Sequence, residues 1–105
     1  MSEENESKQP LEAASELKGM VRPLWMAEVE AEMERARKKF PCPNLLVTAF
    51  SEEAGEVVKA VLEHYEGKGS LADVRKELIQ TAAMVGRLLE EGDPIHLLNP
   101  PIHAA

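Results

Sequence analysis

A single cysteine, Cys42, stands in the 105 residues, so no disulfide can close within the chain. That pattern suits a reducing compartment, and the cytoplasm is the expected location. Basic runs are also missing, and the formal net charge is −7. Duplex nucleic acid demands a dense positive footprint, so it drops out as an expected partner. A small polyanion such as a nucleotide does not, because Mg²⁺ can join an acidic site to an anionic substrate. No apolar run is long enough to span a bilayer, and no membrane partner is expected. Aromatic residues are limited to Trp25, Phe40, Phe50 and Tyr65. A short chain with so few large side chains builds only a modest core, so a homo-oligomer that completes its bundle with another copy is expected. Strand-like alternation, internal repeats and low-complexity tracts are absent. So are a Ser-His-Asp arrangement, a zinc box and a dinucleotide fingerprint; His96 and His103 form no metal spacing with Cys42.

What is present reads as one all-α domain. Met1 to Gln9 is polar and acidic and is expected to be a flexible tail. Pro10 to Met20 suggests a short helix. Pro23 then suits the first turn of a second helix, Leu24 to Lys39, whose apolar side is Trp25, Val29, Met33, Ala36 and Phe40. Pro41-Cys42-Pro43 stops it. A long helix follows from Asn44 to about Tyr65, then a loop at Glu66-Gly67-Lys68-Gly69. Ser70-Leu71-Ala72-Asp73 resembles a capping box that opens the last helix, Leu71 to about Glu91. Gly92 and Asp93-Pro94 end it, and residues 93–105 are expected to be extended. The helical domain is therefore 10–92. Gly55 and Gly86 sit mid-helix, where glycine costs roughly 1 kcal/mol against alanine; close helix approach would explain both.

The chemistry lies in acidic residues on apolar faces. At roughly 100° per residue, Leu46, Ala49, Phe50, Val57, Ala60 and Val61 form the inner face of the Asn44 helix. Glu53 falls inside that face and Glu56 at its margin. On the next helix the inner face is Val74, Leu78, Thr81, Met84, Val85, Leu88 and Leu89, with Glu77 inside it and Gln80 at its edge. Glu52 and Glu63 point outward. A buried carboxylate is costly unless it is paired or holds a metal, and no Lys or Arg falls on either inward arc. A short connection makes the two helices antiparallel neighbours, so Glu53, Glu56 and Glu77 can converge on a hard cation. The plainer reading pairs these glutamates with basic residues of another helix. Asp73 fits the cap better than it fits a ligand role. Gly67-Lys68-Gly69-Ser70 lacks the strand and glycine spacing of a phosphate loop and reads as a hinge.

Pro43-Asn44-Leu45-Leu46, followed by Glu52-Glu53-Ala54-Gly55-Glu56-Val57 and then Glu77-Leu78-Ile79-Gln80, resembles the MazG-like all-α nucleoside triphosphate pyrophosphohydrolases. That superfamily also includes dimeric dUTPases and phosphoribosyl-ATP pyrophosphatases. The likeness runs from about Trp25 to Gly92 and rests on an ExxE motif on one helix and ExxD on the next. It implies a MazG-like helical bundle completed as a homodimer or homotetramer. It implies hydrolysis of a nucleoside triphosphate to monophosphate and pyrophosphate, with nucleotide-pool house-cleaning as a role. Mg²⁺ would be held by Glu53, Glu56 and Glu77, which are the catalytic residues, with Gln80 in the aspartate's place. Lys38, Lys39, Lys68 and Arg87 are the candidates for the phosphates, and Phe40 and Asn44 for the base. Gln80 departs from the pattern: a neutral amide removes one negative charge and coordinates Mg²⁺ less well. The site then holds fewer metals, or Asp73 compensates, or the chain binds nucleotide without cleaving it. A non-enzymatic helical oligomerisation module is the third reading.

Overall fold

The computed structural model describes residues 10–41 and 45–104, with the backbone alone for 10–18 and 20. The tail at 1–9 and the segment 42–44, Asn44 included, lie outside the described residues. The fold is all-α: α1 (Pro10–Lys39), α2 (Leu46–Tyr65) and α3 (Leu71–Glu91), followed by short 3-10 turns at Pro94–His96 and Pro101–His103. α3 is the central element, with α1 and α2 both packed on it. No helix among the described residues is long and apolar enough to cross a membrane.

Two boundaries differ from the sequence expectation. α1 is one continuous helix through Pro23, where a short helix and a second one starting at Pro23 were expected. An interior proline removes one backbone donor and crowds the carbonyl four residues earlier. Here that residue is Gly19, which is exposed, as is Pro23, so water can satisfy the freed carbonyl. The second difference is the C-terminal segment, which is folded rather than extended. Asp93 and Leu98 exchange backbone hydrogen bonds of 2.8 and 2.9 Å, and the segment 101–103 packs on α3.

Asp93 explains this turn. Its side chain is fully buried. Oδ2 accepts from the Val47 amide at 3.0 Å and lies 3.1 Å from His96 Nδ1, and Oδ1 accepts from the Ile95 amide at 3.1 Å. Leu45, which precedes α2, supplies no side-chain cap and adopts a left-handed conformation with φ 69°. Asp93 therefore satisfies a free amide in the first turn of α2 from a distant part of the sequence, where a negative charge also meets the favourable end of the helix dipole. The Val47 hydrogen bond is the main reason that its carboxyl stays below the usual aspartate range. A lowered pKa means that this contribution is present above the ordinary aspartate value and is lost as the pH falls through the lowered one.

The capping box at Ser70 and Asp73 forms as the sequence indicates, with both bonds at 3.1 Å. Gly86 is explained by close packing: a Cβ there would meet Met33 Sδ at 2.5 Å. Gly55 is not, since no atom lies within 4 Å of its Cβ position. Gly92 adopts φ 69°, and a side chain there would collide with the Leu98 carbonyl.

The apolar core is thin. Met33, Ala36, Leu46 and Ala83 are its buried members, while the largest fully buried side chains are Arg87 and Asp93. Trp25, Val61, Leu78, Val85 and Leu89, all assigned to inner faces by periodicity, are at least 42% exposed. The Cα radius of gyration is 17.0 Å, against about 13 Å for a compact domain of this length.

Candidate functional site

Glu53 on α2 and Glu77 on α3 meet through the side chain of Gln80. With its nitrogen towards the two carboxylates, the Gln80 amide donates to Glu77 Oε2 at 3.1 Å and to Glu53 Oε2 at 3.3 Å. The hydrogen-bonding surroundings set this orientation, because an oxygen in the same place would face only acceptors. The α2–α3 packing brings the two glutamates together, and Gln80, one helical turn after Glu77, reaches back to both. All three are partly shielded from solvent, as their positions on the inner faces require.

Glu56 is exposed and one turn further along α2. Among the described residues, no three His, Cys, Asp or Glu side chains are grouped closely enough to hold one metal ion. The expected three-carboxylate convergence is thus a pair, Glu53 and Glu77, with Glu56 as a nearby charge. Glu56, at the margin of the helix face, shares a cleft with Glu77 and not with Glu53.

Negative charge nonetheless gathers around Glu53. Burial first, then the charges of Glu77, Glu56, Glu32 and Glu52, hold its carboxyl above the ordinary glutamate range. Glu32 comes from α1, so all three helices contribute to this field. Arg35 is drawn weakly towards Glu53 but pairs with Glu32, at 2.5 Å.

Glu53 and Gln80 line a cleft of about 420 Å³ with Glu32, Arg35, Phe40, Leu46, Ala49 and Met84. Its lining draws on all three helices. Phe40 also lines this cleft. Leu45 lines it too, and its left-handed backbone, uncommon for a side chain of that size, is held where Asp93 secures the start of α2. Glu56 and Glu77 line a second cleft of about 180 Å³ with Lys59, Lys76 and Asp73.

The other expected residues are dispersed. Lys38 and Lys39 are exposed on α1, and the Lys39 ammonium lies 5.4 Å from the centre of the Phe40 ring. Lys68 is exposed in the loop, 4.0 Å from Glu66. Neither cleft is lined by any of the three. Arg87 corrects the expectation that no cation faces inward: it is 1% exposed. Its Nε donates to Glu91 at 2.8 Å and its Nη2 to Glu91 at 2.9 Å and to the Phe40 carbonyl at 3.0 Å. It borders the larger cleft, but its hydrogen bonds tie α3 to the end of α1 rather than to Glu53 or Glu77. Asp73 is likewise committed to Ser70 and lies outside the Glu53–Glu77 pair.

Sequence reasoning missed Glu32, Arg35, Lys59 and Lys76. Lys59 carried a readable signal, three residues after Glu56, and Lys76 stands three residues after Asp73. Glu32 and Arg35 carried none, because they reach the site only through the packing of α1 on α3. Comparison with family models, with curated proteins and with solved structures gives no match.

Proposed function

We propose that this chain is a Mg²⁺-dependent nucleoside triphosphate pyrophosphohydrolase with a MazG-like bundle, converting a nucleoside triphosphate to monophosphate and pyrophosphate in nucleotide-pool house-cleaning. The observation that carries the reading is the pairing of Glu53 with Glu77, from two different helices, beside a largely apolar cleft. The donors suit the ion. Mg²⁺ is commonly held by one or two carboxylates and completes its shell with substrate phosphates and water. Glu53 and Glu77 would hold it, with Glu56 one turn away and the Gln80 oxygen as a neutral donor. Crowded like charge around Glu53 favours a cation between the two carboxylates.

When bound, Mg²⁺ would polarise the phosphoryl oxygens and make a water more acidic. The chain's own residues supply the remainder. Glu53, which lines the cleft offered to the substrate, accepts the proton of the attacking water. Before the cation binds, the Gln80 amide holds this carboxylate beside Glu77. Phe40, Leu46, Ala49 and Met84 offer the nucleoside an apolar wall. Lys59 and Lys76, rather than Lys38, Lys39, Lys68 or Arg87, stand beside Glu56 and Glu77 to meet the charge of the departing pyrophosphate.

A second reading, a nucleotide-binding relative that does not cleave, draws on one observation: Gln80 occupies the motif's aspartate position and hydrogen-bonds the carboxylates instead of adding a charge. Pyrophosphate release from a panel of ribo- and deoxynucleoside triphosphates, with and without Mg²⁺, separates the two. The hydrolase reading expects Mg²⁺-dependent release from at least one nucleotide. Binding without release at high protein concentration would favour the second.

The same proposal includes a cytoplasmic homodimer or homotetramer. Exposed Val47, Val58, Val61 and Leu62 on α2, with Leu78, Val85 and Leu89 on α3, are a heavy apolar load for so thin a core. Sedimentation at micromolar concentration should give two or four times the 11.6 kDa chain mass; a stable monomer would contradict this.

A further inference from the structure

We propose that Gln80 is a positioning residue that holds Glu53 and Glu77 together in the absence of metal, so that the divalent cation enters with the polyphosphate instead of residing in the site beforehand. This rests on reading Glu53 and Glu77 as the cation's carboxylates. Two carboxylates from separate helices repel, and only a donor or a cation between them makes their approach favourable. A primary amide carries two N–H donors on one nitrogen, one for each carboxylate, and that is the arrangement at 3.1 and 3.3 Å. Gln80 thus does without charge what a cation would do with it.

Two consequences follow from the chemistry. The amide brings no negative charge, so the pair attracts a free cation less than a triad of carboxylates would. In addition, a half-turn about the terminal amide torsion, which is broad, exchanges nitrogen for oxygen. The oxygen then faces the carboxylates, where a cation arriving with its phosphates would need a neutral donor. An aspartate at this position would reverse both properties. It would add a third carboxylate, raise the repulsion in the metal-free protein and make the site dependent on a resident ion.

Thermal melting at fixed protomer concentration tests this with no turnover required. Wild type, Gln80→Asp and Gln80→Leu are compared in a chelator, in millimolar Mg²⁺ alone, and in Mg²⁺ with inorganic pyrophosphate. Wild type should melt at one temperature in chelator and in Mg²⁺ alone, and higher with Mg²⁺ and pyrophosphate together. Gln80→Asp should melt about 4–8 °C lower in chelator and recover in Mg²⁺ alone. Gln80→Leu should melt lower in both, without rescue, which separates loss of the clamp from a purely structural defect. If Gln80→Asp fails to fold in chelator, Mg²⁺ alone should restore it. Equal stability of Gln80→Asp and wild type in chelator would overturn the proposal. So would stabilisation of wild type by Mg²⁺ alone as large as that of Gln80→Asp, or Gln80→Asp unaffected by Mg²⁺. The hydrolase reading fails separately, by absence of pyrophosphate release, and that result leaves these melting curves unchanged.

Discussion

Glu53→Gln should lower Mg²⁺-dependent pyrophosphate release by about 100-fold or more, while raising the melting temperature of the metal-free protein at neutral pH. The two effects share one cause. Glu53 is the carboxylate on which burial and four neighbouring acids converge. A raised pKa means that the stability linked to its protonation is fully present below the ordinary glutamate value. That stability is lost as the pH rises through the raised value, so the ionised form weakens the fold at neutral pH. Glutamine keeps the shape and removes the charge. It also removes the base, and general base catalysis alone contributes roughly 100-fold to 10,000-fold. The stability gain should therefore shrink as the pH is lowered through the glutamate range, which pH-dependent melting of both proteins measures. A variant that is as active as wild type, or less stable at neutral pH, contradicts the role assigned to Glu53.

Arg87→Met should cost about 3–5 kcal/mol of folding stability in urea unfolding at fixed protomer concentration, the range for breaking one side of a buried ion pair. Arg87 is fully buried, and its guanidinium joins Glu91 to the Phe40 carbonyl. Arg37 also meets Glu91, at 3.1 Å, and reaches Glu90 as well. These arginines, Arg87 first, hold the Glu91 carboxyl below its ordinary range despite its burial. Removing Arg87 leaves Glu91 with Arg37 alone and the Phe40 carbonyl without its donor. The double variant Arg87→Met with Glu91→Leu should recover most of the loss, because an apolar pair of similar size leaves no buried charge unanswered. A loss below about 1 kcal/mol for the single variant would show that this network is not what fastens α3 to the end of α1.

Local rules made much of this molecule legible. The ends of α3 followed from Ser70, Asp73 and Gly92, whose effects are confined to one turn of chain. The inward placement of Glu53, Glu77 and Gln80 followed from helical period, because α2 and α3 pack as neighbours across a short loop. Failures came where distant contacts decide. Arg87 reads as lying off the inward arc because the Phe40 carbonyl and Arg37, which complete its network with Glu91, come from the distant end of α1. Asp93 looked like a helix stop, yet it caps α2 from the far end of the chain. Glu32 reaches the field around Glu53 only because α1 packs on α3. Pro23 read as a helix start because local propensity disfavours it in the interior, while the continuous helix on either side outweighs that cost. Leu78, Val85 and Leu89 have the period of a core face but remain at least 42% exposed, so period fixed their side of the helix and not their burial.

The most direct measurement of the central claim is anomalous scattering from crystals grown with Mn²⁺ and a non-hydrolysable nucleoside triphosphate. A metal peak is expected between the carboxylates of Glu53 and Glu77, with the Gln80 oxygen turned towards it and the phosphates completing its shell. Nucleotide bound elsewhere, or bound beside an intact Gln80 bridge with no metal on either glutamate, would contradict it.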